Sequence, residues 1–417
     1  MLMAGCISAN SDKKTSDPDI VHVADGHFMC GDSVYRYVGT NFWYAPILAG
    51  TGRGGNRERL KAELDLLQEL GIGNLRVLVG ADGREGLPSH VMPVLQTSPG
   101  VYNDTLLDGL DYLMAELERR HMKAVLYLNN SWEWSGGYGT YLEWAGEGET
   151  PNPATDGYQA YMNHVANFVK SDSAKALAAA HVRHIVGRTN RYTGKPYTES
   201  AAVMSWQIAN EPRAFASDDS TKHAFVRWIA DQAALIKSID PNHMVSTGSE
   251  GKFGCESDID MWLRIHSDPN IDYGIIHLWP YNWGWVTDTT VQEGVDAACA
   301  NSLDYIAVHK QLMDSIGKPL VLEEFGYPRD GMAFTPGSAT AGRDRFYTYI
   351  FSLMSEKRLI DGCNFWGWGG YARVEHENWQ PWDDYTGDPA QEAQGLNSVF
   401  SCDSTTLSVV KRAATAQ

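Results

Sequence analysis

Short apolar runs and amphipathic stretches alternate along the chain from residue 34 to about residue 370. Eight runs read as strands: residues 34–42, 74–79, 124–128, 203–209, 244–247, 274–278, 320–325 and 362–366. Their apolar character is nearly continuous rather than alternating, the pattern of parallel strands covered on both faces. Helical patterns fill the spaces between. In residues 57–70, Leu60, Leu64, Leu67 and Leu70 fall near one face and Gly71 follows as a stop. Residues 106–119 follow Asn103-Asp104, with apolar side chains at 106, 110, 113, 114 and 117. Residues 156–169, 222–239, 302–316 and 343–354 give further helices, with a short one at 259–265. Eight strand–helix units predict the α/β class and a single (β/α)8 TIM barrel with extended βα loops. An open nucleotide-binding sheet would carry a phosphate loop after its first strand. GTGRGG at residues 50–55 does not have that spacing and reads as a flexible loop.

Composition narrows the function. A net charge of −18 excludes a nucleic-acid binder, which would show basic patches. No apolar run approaches the ~20 residues of a spanning helix. The 14 Trp and 20 Tyr are a high load, and many fall at strand ends and in loops, where flat apolar faces suit sugar rings. Of the six cysteines none forms a CxxC pair, so no zinc knuckle or redox site is indicated, and Cys363 in its apolar run reads as a buried thiol. Met3-Ala4-Gly5-Cys6 has the form of a lipobox, and residues 8–18 read as a tether. Residues 1–20 are therefore set apart from a domain of residues 21–417, whose polar segment 375–389, with Trp379 and Trp382, is expected to cover the barrel rim or serve the cleft. A lipid on Cys6 would be the chain's one membrane attachment, giving a secreted or surface-anchored monomer.

In such barrels the chemistry lies where strands end and βα loops begin. That rule selects Trp43, Arg76, Asn129, Asn130 and Trp132, then Asn210 and Glu211, then His277 and Trp279, Glu324, and Trp366. Glu211 in SWQIANEPR and Glu324 in PLVLEEFG end the fourth and seventh strands, facing one another across the mouth. Glycosidic cleavage needs two carboxyls, one to protonate the leaving oxygen and one to attack or stabilise the anomeric carbon. A strand-end glutamate more often caps a helix or forms an ion pair; two of them, ringed by aromatics, are far more specific. His181 and His184 have helical spacing but lie away from the strand ends, so they do not indicate a metal site.

The motifs resemble glycoside hydrolase family 5, in its β-mannanase branch. Asn210-Glu211-Pro212 and Glu324-Phe325-Gly326 match the family's two catalytic motifs, and Arg213 stands where mannanases carry arginine. NNSWEWSGGYGTYLEW (residues 129–144), RYTGKPYTESAAVMSWQIANEPR (191–213) and IKSIDPNHMVSTGSEG (236–251) resemble further mannanase patterns, so the likeness runs from about residue 34 to 368. The resemblance implies Glu211 as acid/base and Glu324 as nucleophile of a retaining enzyme. It selects Glu324 over Glu323, since alternation along a strand turns only one of them to the mouth. It further implies that Asn210 binds the sugar 2-hydroxyl, Arg76 keeps the nucleophile ionised, His277 serves the leaving-group side and Trp366 stacks under the reacting sugar. Trp43, Trp132, Trp279 and Arg213 complete the implied substrate contacts. One position departs from the pattern: Trp279 stands where tyrosine usually bonds the nucleophile, so that role is altered or passes to Tyr281. The implied activity is an endo-1,4-β-mannanase acting on mannan, galactomannan or glucomannan without cofactor or metal. An exo-acting mannosidase, a mannobiohydrolase or a β-1,4-glucanase is the alternative on the same fold.

Overall fold

The computed structural model describes residues 18–417, so the lipobox-like segment and Cys6 lie outside the described residues. Eight parallel strands form the barrel: β1 (Tyr37–Asn41), β2 (Asn74–Leu78), β3 (Lys123–Tyr127), β4 (Val203–Gln207), β5 (Met244–Ser246), β6 (Gly274–Leu278), β7 (Leu320–Phe325) and β8 (Gly362–Phe365). Their order is β5-β4-β3-β2-β1-β8-β7-β6, so the last strand pairs with the first. The seam between β5 and β6 is bridged by Asp272 N donating to Val245 O at 2.9 Å and His277 N to Glu250 O at 3.3 Å. All eight strands are buried throughout, as their unbroken apolar runs predict.

Eight helices surround them: α1 (Arg57–Glu69), α2 (Asp104–Arg119), α3 (Asp172–Val186), α4 (Asp219–Ile239), α5 (Ile259–His266), α6 (Val295–Ile316), α7 (Ala341–Ser355) and α8 (Ser404–Ala414). The side chains of Asn56, Asn103, Ser171, Asp218 and Asp258 accept backbone N–H bonds at the starts of α1 to α5, satisfying donors a helix start leaves unpaired.

Three elements differ from expectation. Val34 belongs to a three-stranded antiparallel cap (His22–Ala24, His27–Cys30, Ser33–Val34) rather than to β1. Val21 and Phe28 of this cap plug the barrel floor against Tyr37, Val125, Met204 and Tyr273. The segment 156–169 forms only a short helix, Tyr158–Val165, and a 3-10 turn, while α3 covers the third strand. Helix α8 was not foreseen; its Leu407 and Val410 enter the core.

The rim segment after Tyr371 is tied down at many points. Asp388, fully buried, accepts the backbone N–H groups of Gly395, Asn397 and Ser398. Arg329, after β7, forks onto both oxygens of Asp403 at 2.8 and 2.6 Å, and its Nε donates to Gly395 O at 3.0 Å. Arg53 of the glycine-rich loop lies 4.0 Å above the Trp382 ring. Among the described residues no helix is long and apolar enough to cross a membrane, and the five described cysteines form no disulfide, with Cys363 buried.

Candidate active site

Glu211 follows β4 in a left-handed conformation, φ +46°, which a glutamate rarely adopts. Its backbone is held there by Glu211 N donating to Gly248 O at 3.0 Å, and Ser131 Oγ donates to its carbonyl. The side chain accepts from Trp132 Nε1 at 2.7 Å and lies 2.8 Å from His277 Nδ1. Glu324, 2 % exposed, is reached by Arg76 Nη1, by Trp279 Nε1 at 3.3 Å and by His277 Nδ1 at 3.3 Å. The imidazole thus stands between two carboxyls, and one ligating atom from each of the three groups lies within 4.8 Å of the others.

The strand-alternation argument for Glu324 over Glu323 needs correction. The β6–β7 register slips by one residue, Ile276 pairing with Leu322 but His277 with Glu324. This bulge turns both glutamates inward, at different depths. Glu323 lies deeper, accepting from Gln207 Nε2 at 2.6 Å and facing Arg76 Nε at 3.4 Å. Arg76 is fully buried and spends its other donors on Gln207 (2.8 Å), Asn41 (3.1 Å) and Asn210 (2.8 Å), so its fork is fixed in one orientation.

A cavity of about 380 Å³ opens above this cluster, lined by Glu211, Glu324, Asn210, Trp132, Trp279 and Trp366. Arg213 also lines it, paired with Glu250. Trp366 packs against Trp279 in a T-shaped contact, ring centroids 5.8 Å apart. Trp43 is not brought to this cavity. It is 1 % exposed, packs on Tyr44, Trp134 and Tyr385, and donates to Gly387 O at 2.9 Å. At position 279 the indole N–H supplies the donor to Glu324 that a tyrosine hydroxyl would otherwise give. His181 is buried between Val79 O (3.0 Å) and Tyr102 OH (3.2 Å), a structural arrangement.

Among the cavity-lining residues that sequence reasoning missed are Glu133 and Tyr158 from the segment after β3, and Gln391 and Glu392 from the rim segment. The oxygens Glu133 Oε2, Gln391 Oε1 and Glu392 Oε2 are buried without partners. No spacing rule marks such residues; only the close approach of the rim segment does.

Burial sets the electrostatics and neighbours redirect it. On His277 burial opposes charge, but Glu324, Glu211 and Glu323 outweigh it and push the imidazole up to about 10. Burial would raise Glu211, yet the His277 hydrogen bond and charge, with Arg213, hold it below the ordinary range. Glu324 is pushed up to about 6 by burial, with Glu211 and Glu323 adding, against His277 and Arg76. Burial, with the charges of Asp388, Glu324 and Glu211 adding, drives the Glu392 carboxyl well above the carboxylate range. Glu211, His277 and Glu324 are the one group among the described residues that could hold a cation, but the direct hydrogen bonds between them and the adjacent Arg76 guanidinium oppose a dication.

A family model described as GH family 5 beta-mannosidase-like matches residues 18–417. A family 5 mannosidase from Rhizomucor miehei superimposes with a TM-score of 0.87 at 31% identity, covering 96% of this chain and 98% of that one, and a mutant of that enzyme was solved with mannosyl-fructose. The endo-1,4-β-mannanase of Thermotoga petrophila shares the fold, with a TM-score of 0.67 at 23% identity over 91% of this chain and 76% of that one. A putative mannan endo-1,4-β-mannosidase 9 from Oryza sativa is 29% identical over 65% of this chain; the match spans 64% of that relative, just under two thirds of its length.

Proposed function

Because the chain belongs to the β-mannosidase-like members of glycoside hydrolase family 5, we propose that it is a retaining hydrolase of β-1,4-mannosidic linkages, acting on short manno-oligosaccharides and mannan chain ends. The observation that carries this reading is the pair Glu211 and Glu324, with facing oxygens within 4.8 Å and His277 between them. That approach fits the ~5–5.5 Å carboxyl separation of retaining enzymes, against ~6.5–9.5 Å where a water must fit between.

Glu324 attacks the anomeric carbon as the C1–O bond breaks, and the leaving oxygen takes a proton from Glu211. Water then gives its proton to Glu211 and attacks C1, releasing Glu324 with net retention. The first step needs Glu211 protonated and Glu324 ionised. His277 provides for this, because imidazolium with a Glu211 carboxylate and neutral imidazole with Glu211 acid hold the same number of protons. The 2.8 Å bond lets the proton sit on either partner without leaving the site. Trp366 carries the sugar face, and Asn210, oriented by Arg76, reaches the 2-hydroxyl.

A cavity of about 380 Å³ lies toward the small end of the ~300–1,000 Å³ typical of ligand pockets, which favours a short chain over a long bound polymer. A mutant of the R. miehei mannosidase, solved with the short sugar mannosyl-fructose, is consistent with this choice. The endo reading expected from the sequence is favoured by the names of the curated plant relatives, and one experiment separates the two. With mannopentaose, end attack releases mannose and mannotetraose first, whereas internal cleavage gives mannobiose and mannotriose; cleavage of cellopentaose at a comparable rate would sink the mannoside assignment. Proton NMR of the first-formed product should show the β-anomer. A lipid on Cys6 would hold the enzyme at the cell surface, which the mass of the N-terminal peptide tests.

A further inference from the structure

His277 meets both reacting carboxyls through one nitrogen, Nδ1, at 2.8 Å from Glu211 and 3.3 Å from Glu324. Its other nitrogen, Nε2, is buried and has no partner at ordinary hydrogen-bond distance. Glu323 Oε1 is in the same condition, while Oε2 of that carboxyl accepts from Gln207 Nε2 at 2.6 Å and faces Arg76 Nε at 3.4 Å. The β-bulge brings the two groups together. Between the pairs Ile276–Leu322 and His277–Glu324, Glu323 is the extra residue of β7, inserted alongside His277 of β6. Its carboxyl acts on the imidazole as a hydrogen-bond acceptor does, favouring the protonated ring. Buried polar atoms without partners are rare, and hydrogen bonds at catalytic sites are often long until substrate is bound. Tyr37 and Tyr273 face the same carboxyl from the barrel floor, and Ser205 and Ser246 stand beside the Tyr273 hydroxyl.

We infer that Glu323 is a positioning residue, which holds the proton of His277 Nε2 through Oε1 and so leaves Nδ1 free to exchange a proton with Glu211. The inference rests on the retaining-hydrolase reading above. A neutral imidazole carries its proton on one nitrogen only, and the other keeps a lone pair. When Glu211 is the acid, its O–H must point at a lone pair on Nδ1, so the ring proton has to sit on Nε2. When the proton moves from Glu211 to Nδ1, the lone pair there becomes the new N–H bond, Glu211 becomes carboxylate and Nε2–H stays unbroken. An acceptor fixed at Nε2 therefore serves both states, as the third group that orients a catalytic base does elsewhere. The carboxyl is suited to this place because it offers two acceptor oxygens, one for Gln207 Nε2 and one for the ring. Glutamine would offer one oxygen and bring an unwanted donor.

The test reads the ring in the intact protein labelled with ¹⁵N-histidine, His277 being assigned by the signals that His277→Asn removes. Above the pH at which the ring gives up one proton, Nε2 should keep its N–H and Nδ1 should lose it; the opposite tautomer overturns the proposal. Kinetics give a second reading. Glu323→Gln should lower kcat/KM for β-1,4-mannobiose by about 10²-fold, the lower end of what general acid–base catalysis contributes. For an aryl β-mannoside whose leaving group departs without an acid, the loss should be only a few-fold. Glu323→Asp, which keeps both oxygens, should recover most of the mannobiose activity. An equal loss on both substrates would mean that Glu323 serves only to brace Arg76, and overturns the proposal. Tyr273→Phe should leave both readings unchanged, and a loss on mannobiose matching that of Glu323→Gln would give Oε1 to the tyrosine instead. The wild-type tautomer carries the test if Glu323→Gln does not fold. An enzyme silent on every β-mannoside would instead overturn the proposed function, since the tautomer is read without turnover.

Discussion

At the scale of single residues, the carboxyl pair and its imidazole bridge govern the predictions. Glu211→Gln should slow hydrolysis of manno-oligosaccharides by about 10²–10⁴-fold, the usual worth of general acid–base catalysis. With an aryl β-mannoside bearing a good leaving group the same variant should still form the glycosyl-enzyme, visible as a burst. Glu324→Gln should lose turnover on both substrates with no burst; a burst in Glu324→Gln and none in Glu211→Gln would exchange their roles. The pH dependence follows from the shifts on the same groups. Glu324, raised to about 6, is ionised only above that pH, so kcat/KM should fall as pH drops through about 6 rather than through ~4.3, the ordinary glutamate value. His277, raised to about 10, keeps its shared proton until the pH passes that value, so the alkaline limb belongs there and His277→Asn should move it down. Trp366→Ala should cost more activity than Trp382→Ala, since Trp366 lines the cavity and Trp382 lies under Arg53 on the rim. The pair and its arginine were legible because their chemistry demands those residue types at strand ends. Trp43 shared that strand-end position yet is buried under Gly387, which no local pattern announces.

Among elements, the bulge in β7 and the rim segment matter most. Period-two reasoning expected only one of the two glutamates to face inward, but the one-residue slip at Ile276/His277 lets the chain point both acids inward and stack them along Arg76. A bulge depends on the neighbouring strand, so it cannot be read from β7 alone. The rim segment was visible only as a polar, Trp-containing stretch. Its anchor is the buried fork of Arg329 on Asp403, and removing one partner of such a pair leaves an uncompensated charge. Asp403→Ala should therefore cost about 3–5 kcal/mol of stability. Urea titration measures it, and a loss below 1 kcal/mol would mean that the segment is held by its other bonds. The helix over the third strand was misplaced because the 156–169 stretch has the apolar spacing of a helix but packs as a short rim element, while α3 is alanine-rich and weakly patterned.

For the molecule as a whole, eight βα units were legible because both-sided burial leaves continuous apolar runs, whereas the cap on the floor and α8 over the seam of first and last strands were not. Stability should also carry the mark of buried acids. Burial pushes Asp82 up to about 7, so the folded protein binds a proton that the unfolded chain releases near pH 4. Stability from this group is full below that pH, declines as pH rises towards 7 and stays lower above it. Asp82→Asn should raise Tm by a few degrees at pH 8 and change it little at pH 4; the reverse order would place the cost elsewhere. The Arg329–Asp403 fork has a further consequence, in time rather than space. A chain emerges from the ribosome N-terminus first, at about 5–20 residues per second. Glu211 and Glu324 are both translated well before Asp403, so a nascent polypeptide holds the complete reacting pair under an unfastened rim. Hydrolysis should thus begin only when the last helix docks. Ribosome-stalled chains that end ahead of Asp403 should leave an aryl mannoside uncleaved, and release of the completed chain should switch activity on.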